Sequence, residues 1–338
     1  MDAIVLVGGQ GTRLRPLTAT RHKSLVPIAN RPAISHLLEW LTKSGFGRAV
    51  LATGQESDDL LAAYPGGRAH GLEIVVVRER ERLESGGAIR NAVRAAAVEG
   101  RFAVFNGDVF LDFDFARAAA AHQAADAELT LALYEMDDPS PFGVAVTGAD
   151  GLVTGFVEKP PRGSEASKLV NAGAWIFEPG LVDEIPAGAV RVEETLFPSL
   201  VARGRRVLGY RFDGIWADFG TAARYLELNQ ALVSRQGRSY IAGGVPVAPG
   251  AQVRESSVGA GCVIGKGAIV SGSVLWEGVR IEADATVDGS VLADRVSVGA
   301  GARLSGAVVG SGAMIAERAV APPGTSIEPG ARYDGADD

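Results

Sequence analysis

Apolar residues open the chain in an unbroken run, Ala3 to Val7, which predicts a strand buried on both faces. The run stops at Gly8 and Gly9, where no side chain blocks approach to the backbone. Ile34, Leu37, Leu38 and Leu41 then fall at i, i+3, i+4 and i+7, the stripe of a core-facing helix that ends near Lys43 and Gly45. Strands predicted at Ala49 to Thr53, Leu72 to Val77 and Phe102 to Asn106 alternate with helices at Asp58 to Tyr64 and about Gly86 to Val98. Such alternation predicts a mostly parallel sheet covered on both faces, with ligands where strands end, and Gly8, Gly87 and Asp108 occupy such ends. From Leu129 the texture changes. Strands at Leu129 to Tyr134, Val144 to Thr147, Leu152 to Val157, Ala172 to Phe177 and Val207 to Phe212, with helices over Glu193 to Ala202 and Thr221 to about Gln236, predict a mixed sheet with insertions.

The segment Gly237 to Gly244 reads as a linker, dividing the chain into residues 1–238 and 239–338. Beyond it aliphatic residues recur in steps of six: Val247 and Val253; Val258, Ile264 and Val270; Ile281 and Val287; Val298 and Leu304. Short periods of this kind signal a solenoid in which one supersecondary unit stacks on the next. The period breaks near Trp276 and near Arg295, where loops or irregular corners are expected.

With 338 residues and 47% hydrophobic content the chain can bury a sizeable core, and a net charge of −7 speaks against broad nucleic-acid or anionic-membrane binding. Cations at Arg13, Lys23 and Lys159 are therefore expected to serve as local anion ligands. The single cysteine, Cys262, rules out an intramolecular disulfide, and no apolar run approaches membrane-spanning length. The N-terminus begins with a strand and not with a signal segment, so a cytoplasmic location is expected.

Gly8, Gly9, Gly11, Thr12 and Arg13, with Lys23 ten residues on, place a glycine-rich turn between two fixed cations, which suits a polyphosphate. The dinucleotide fingerprint is absent, because Leu14 stands where its third glycine would be, and no Gly-Lys-Ser/Thr triplet of a Walker loop occurs. The stretch G-G-x-G-T-R-L-x-P-L-T, the following lysine and the segment Leu25-Val26-Pro27-Ile28 with Asn30-Arg31-Pro32 resemble the opening of the sugar-1-phosphate nucleotidylyltransferases, among them the mannose-1-phosphate guanylyltransferases. The resemblance covers about residues 1 to 236. It implies a Rossmann-like mixed, mostly parallel sheet, and the hexapeptides Val258-Gly259, Ile264-Gly265 and Val298-Gly299 are similar to those of the left-handed parallel β-helix that many members carry. Ser24 departs from the family, which has proline there.

The family reaction joins a nucleoside triphosphate and a sugar 1-phosphate into a nucleotide sugar and pyrophosphate, and the expected pair is GTP and mannose 1-phosphate. Glucose 1-phosphate with dTTP, UTP or ATP, and heptose or N-acetylmuramate 1-phosphate, are the alternative pairs. A catalytically silent regulatory subunit of the same fold is the alternative of another class. By resemblance Leu6, Gly8, Gly9, Gly11, Thr12 and Arg13 bind nucleotide with Ser85, Gly86 and Gly87 of Leu83-Glu84-Ser85-Gly86-Gly87-Ala88, where Glu84 and Ser85 are departures. Arg13, Lys23, Asp108, Lys159 and Asp218 carry the chemistry. Asp108, in Asn106-Gly107-Asp108, also belongs to the nucleotide set, and with Asp218 of Trp216-Ala217-Asp218-Phe219-Gly220-Thr221 it is the expected Mg²⁺ pair; the plain alternative is that Asp218 caps the helix after it. Glu158 and Lys159, before Pro160, with Gly143, Asn171 and Trp175, are expected around the sugar phosphate, although an aromatic such as Trp175 in a strand more often packs in the core. Glu79 and Glu81 fit the guanylyltransferase spacing E-x-E-x-L. A carboxylate can accept both the N1 and N2 donors of guanine, so Glu81 is the expected base reader unless Arg78 to Glu84 is only a solvated charge run. The histidines, His22, His36, His70 and His122, all lie outside the tail, which removes the histidine base that an acyltransferase β-helix would need. A β-helix face rich in Val and Ala is expected to drive assembly into a homo-oligomer.

Overall fold

A computed structural model describes residues 1–54 and 57–335. Its compact units do not follow the order of the chain. One unit comprises 1–9 and 34–216, the other 10–33 and 217–338.

The first unit is built on the sheet that the opening run predicts. Ala3–Leu6 lies between Arg48–Thr53 and Phe102–Asn106, parallel to both, and Leu72–Arg78 pairs parallel with Arg48–Thr53 on its far side. Ile4, Val5, Val50 and Val104 are fully buried, as strands covered on both faces require. Beyond Phe102–Asn106 the sheet turns antiparallel through Leu169–Phe177 and Gly143–Thr147 to Val153–Glu158, and Leu129–Glu135 with Val207–Arg211 branches from Leu169–Phe177. The mixed sheet is as expected. Ala33–Lys43 buries the stripe Ile34, Leu37, Leu38 and Leu41, and also Trp40, whose ring packs on Phe105, Phe113 and Phe115.

Two helices differ from the hydrophobic pattern. The helix expected over Glu193 to Ala202 is only Leu196–Ala202. Pro198 has no amide proton and its ring clashes with the turn before it, so it is tolerated only in a first turn, which fixes the start at Leu196. The helix Phe115–Ala124, capped by Asp114 through the Arg117 N–H, is hidden in an alanine-rich run without a clear apolar stripe.

The second unit contains the left-handed β-helix, three parallel sheets of short strands. Val258, Leu275, Leu292 and Val309 stack along one inner edge, Ile264, Ile281, Val298 and Ile315 along the second, and Val270, Val287 and Leu304 along the third. Burying one such side chain contributes roughly 1.5–3 kcal/mol. Of the two expectations for the breaks in the six-residue period, the structure shows irregular corners and not loops. Coils are offset by 17 residues as far as Leu304 and Ala321, because one corner of each is a residue short, and the last step, from Val309 to Ile327, is a full 18. Gly272, Gly289 and Gly306 take φ of 54, 52 and 57° there. A buried serine ladder completes these corners: Ser256 Oγ accepts the Ser273 N–H, Ser273 Oγ that of Ser290, and Ser290 Oγ that of Ala307, each at 3.0 Å. Cys262 is buried, donates to Trp276 O at 2.9 Å, and burial pushes its thiol pKa up to about 11. Among the described residues no helix is long and apolar enough to cross a membrane.

Candidate active site

The residues expected at the site fall in both units, and each set has its own geometry. In the first unit, Gly8 ends the central strand. A Cβ there would stand 3.4 Å from Gly54 N and 3.6 Å from Glu79 Oε1, so the buried Glu79 carboxylate lies against the turn. Glu79 Oε2 accepts the Leu83 N–H at 3.1 Å, while burial, aided by the charge of Glu84, holds its pKa above the ordinary carboxylate range against that bond. Glu81 is exposed. Spacing alone could not separate the two glutamates; burial does.

Gly107 must be glycine, since a Cβ would fall 2.3 Å from Val7 Cγ1, and its N–H bonds Leu6 O at 2.9 Å. This close approach seats Asn106-Gly107-Asp108 on the end of the central strand. A bulge in Leu169–Phe177, with Gly173 at φ 70°, brings that strand so near that a Cβ on Gly173 would be 2.6 Å from Asn106 Nδ2. Just before the bulge, Asn171 Oδ1 accepts from Gly173 N at 3.2 Å and Trp175 Nε1 at 2.7 Å. Trp175 is 1% exposed and packs on Phe177 and Phe197. The expectation of an aromatic facing sugar therefore gives way to an indole in the core that orients Asn171.

Gly143 pairs across from Glu158, where a Cβ would meet Glu158 Oε2 at 2.7 Å. Lys159 adopts φ 48°, an uncommon conformation for a residue with a Cβ, and its N–H bonds Phe142 O at 3.0 Å. Its side chain is 54% exposed and its ammonium lies 3.2 Å from Glu158 Oε1, so the strand end presents a cation beside a largely buried carboxylate.

Ser85, Gly86 and Gly87 lie in the first turn of the helix Glu84–Ala95. Gly86 N donates to Val190 O at 2.8 Å, and a Cβ on Gly87 would be 2.6 Å from Gly188 O, so these glycines serve close packing against residues 185–190. Ser85 Oγ donates to Glu193 Oε2 at 2.5 Å and accepts the Val192 N–H. Glu193, which the pattern did not single out, has its pKa raised by burial, with the nearby charge of Glu158 adding to it and the Ser85 hydroxyl opposing. One of two adjacent glutamates in a charged run before a helix, Glu193 carries no signal that would have revealed it.

In the second unit, Gly11 has φ 62°, and a Cβ on it would crowd Lys23 Cβ and Thr18 Cγ2, both at 3.1 Å. Thr18 Oγ1 donates to Gly11 O at 2.7 Å, and Thr12–Leu14 forms a single 3₁₀ turn that leaves Arg13 exposed. Lys23 is 7% exposed, with its ammonium 5.5 Å from the centre of the Phe219 ring, a cation–π contact that offsets part of its desolvation. Ser24, where the family has proline, uses its N–H to bond His22 Nδ1 at 3.2 Å, which holds the turn by a bond proline could not make. A Cβ on Gly220 would approach both Asp218 Oδ1, at 3.0 Å, and Arg13 Nη2, at 3.2 Å.

The helix Ala222–Gln236 is capped by Thr221 through the Arg224 N–H, so the capping alternative for Asp218 falls away. Asp218 instead closes its own turn, accepting from Gly220 N at 3.1 Å and Arg224 Nη1 at 3.0 Å, both at Oδ1. Among the described residues no cluster of three or more His, Cys, Asp or Glu could hold a metal alone. Mg²⁺ commonly takes one or two carboxylates and completes its shell with substrate phosphates and water. The donor chemistry of Asp108 and Asp218 fits an ion of that kind.

Residues 2–235 match the model of the nucleotidyl transferase family, and residues 241–324 match that of the GlmU-like C-terminal hexapeptide. The chain belongs to the nucleotidyl transferase family, and the expected enzyme class is borne out. It is 36% identical over 266 residues to a mannose-1-phosphate guanylyltransferase from Mycobacterium tuberculosis, a match covering 74% of this chain and 72% of that one. It is 34% identical over 230 residues to the mannose-1-phosphate guanyltransferase of Schizosaccharomyces pombe, covering 67% of this chain and 62% of the relative. With the catalytic subunit beta of the Drosophila melanogaster mannose-1-phosphate guanylyltransferase it shares 32% over 227 residues, so the chain spans about three fifths of that relative, 60%. The solved structure of HddC from Yersinia pseudotuberculosis shares the fold, with TM-score 0.59, 24% identity, and coverage of 68% of this chain and 99% of that one.

Proposed function

We propose that this chain joins GTP and mannose 1-phosphate into GDP-mannose, releasing pyrophosphate. A sugar phosphate oxygen is already a nucleophile, so the reaction needs no general base and no covalent intermediate; positioning and charge neutralisation carry the rate. In this reading Arg13 and Lys23 hold the β,γ-phosphates and stabilise the departing pyrophosphate. Lys159 aims the attacking phosphate at the α-phosphorus, and Glu158 and Asn171 take sugar hydroxyls, with Gly143 allowing close approach. Mg²⁺, which we assign to Asp108 and Asp218, supplies charge neutralisation on the phosphates when bound. Soluble phosphorylated substrates make the cytoplasm the proposed compartment. The exposed Val263 and Ile269 make the β-helix the proposed surface of a homo-oligomer.

The observation that carries the guanine reading is Glu79, a buried carboxylate against the Gly8 turn. When ionised it can accept both guanine donors, and it takes the reading role that spacing assigns to Glu81. Pyrophosphate release is to be measured with GTP, UTP, dTTP, ATP and CTP crossed with mannose, glucose, N-acetylglucosamine, N-acetylmuramate and heptose 1-phosphates. The expected maximum is GTP with mannose 1-phosphate, and Glu79→Gln should lower kcat/KM for GTP by about 10²-fold with a smaller loss for ATP. A preference for dTTP or UTP contradicts the base reading.

A further inference from the structure

The segment that carries Arg13 and Lys23 belongs to the same compact unit as the β-helix, and several contacts fasten it there. Arg21 Nη2 donates to Asp294 Oδ2 at 2.8 Å, and the Arg21 guanidinium lies 5.1 Å from the centre of the Trp276 ring. Asp294 is 7% exposed and is itself held, since its Oδ1 accepts the Glu277 N–H of the preceding coil at 3.3 Å. Trp276 is 1% exposed and donates through Nε1 to Tyr225 OH at 3.0 Å, and Tyr225 OH in turn donates to Pro27 O. Thr20 Oγ1 donates to Ser311 Oγ at 3.1 Å. Asn30 Nδ2 reaches Val258 O at 2.8 Å. The segment is thus held on both sides of Lys23, and the charged anchor, Arg21, stands two residues before it.

An exposed ion pair would say little, because solvent and side-chain entropy remove most of its worth. The Asp294 carboxylate, by contrast, is desolvated, hydrogen-bonded through both oxygens and stationed on a stack of coils packed around an aliphatic core and a buried serine ladder, so the anchor is stiff. We propose that the β-helix is a positioning element for catalysis: Asp294 and Trp276 fix Arg21, and through it the place of the Lys23 ammonium. Asp294, Trp276 and Arg21 are positioning residues and touch no substrate. The proposal rests on the reading of Lys23 as a ligand of the departing pyrophosphate.

The test uses the full-length protein and the pyrophosphate-release assay, at a temperature well below the melting point of each variant. Asp294→Ala and Trp276→Phe are expected to lower kcat about tenfold while KM for either substrate moves less than about threefold, the signature of lost transition-state placement. Arg21→Lys, which keeps the charge but not the planar fork, should fall between wild type and Arg21→Ala. Lys168→Ala, which removes a surface pair with Asp137, should leave kcat unchanged. In a Lys23→Ala background, Asp294→Ala should cost almost nothing more, because its effect passes through the missing ammonium. Folded Asp294→Ala and Trp276→Phe proteins with wild-type kcat and only a lowered melting point overturn the proposal, as does a loss that adds in full to that of Lys23→Ala. Should Asp294→Ala fail to fold, Asp294→Asn and Thr20→Val supply the same comparison. Unchanged kcat in Lys23→Ala alone refutes the assignment of Lys23 and, with it, the route through which Asp294 is said to act.

Discussion

Lys159 and Lys23, the two cations assigned to the reaction's incoming and departing phosphates, are held by opposite means. Lys159 sits at the end of Val153–Glu158, and everything that sets it is local: pairing of Glu158 with Gly143, the N–H bond to Phe142 and the left-handed φ. Lys23 sits on a segment with little regular structure, and its surroundings are supplied by residues some 200 to 300 positions away, among them Phe219, Asp294 and Ser311. The first arrangement follows from a hairpin register, and the second rests on the Phe219 ring and, through Thr20 and Arg21, on the β-helix. An exposed ammonium on a local strand end suits a group that captures a substrate. A buried one, gripped from a distance, suits a group whose placement matters at the moment of charge transfer.

The largest effect expected from this contrast is at the buried lysine. Lys23→Ala should lower kcat by about 10²–10³-fold with little change in KM, and Lys159→Ala should instead raise KM for the sugar phosphate by about 10-fold, with a smaller loss in kcat. Initial rates over both substrate concentrations separate the two patterns. Interchanged patterns would break the comparison.

The two units should also differ in acid. In the first, His122 is fully buried between Thr130 Oγ1 at 2.7 Å and Glu178 Oε1 at 3.1 Å, and burial holds its pKa below the ordinary 6.5 despite the Glu178 bond. The folded chain then binds fewer protons than the unfolded one, so stability present above pH 6.5 is lost as the pH falls below it, by at most about 1.4 kcal/mol per pH unit from this group. Denaturant unfolding of wild type and His122→Asn between pH 7 and pH 5 checks this, with the acid slope expected to flatten in the variant. The smallest effect belongs to the second unit. Ser290→Ala, which deletes one rung of the serine ladder, should cost about 1 kcal/mol at every pH in that range.

What the sequence revealed follows the same division. The strand Ala3–Leu6 and the stripe of Ala33–Lys43 were legible because burial on one or both faces leaves a period in the residues themselves. The β-helix was legible in its sixes, but its five-residue corners registered only as breaks, since a glycine–serine corner has no apolar marker. Glu79 and Glu81 differ in burial and not in spacing, Trp175 gave no sign of which way its ring turns, and Glu193 had no distinguishing neighbour. The tie between Arg21 and Asp294 spans 273 residues, and no local pattern encodes it.

Direct attack of a sugar phosphate oxygen on the α-phosphorus of GTP, the central claim, has a stereochemical consequence. One diastereomer of a GTP bearing sulfur on the α-phosphorus, incubated with mannose 1-phosphate, Mg²⁺ and the full-length protein, gives a product whose configuration at phosphorus can be assigned by ³¹P NMR. A single in-line displacement predicts inversion. Retention would require two displacements through a covalent nucleotidyl-enzyme, and would contradict the roles assigned to Lys23 and Lys159.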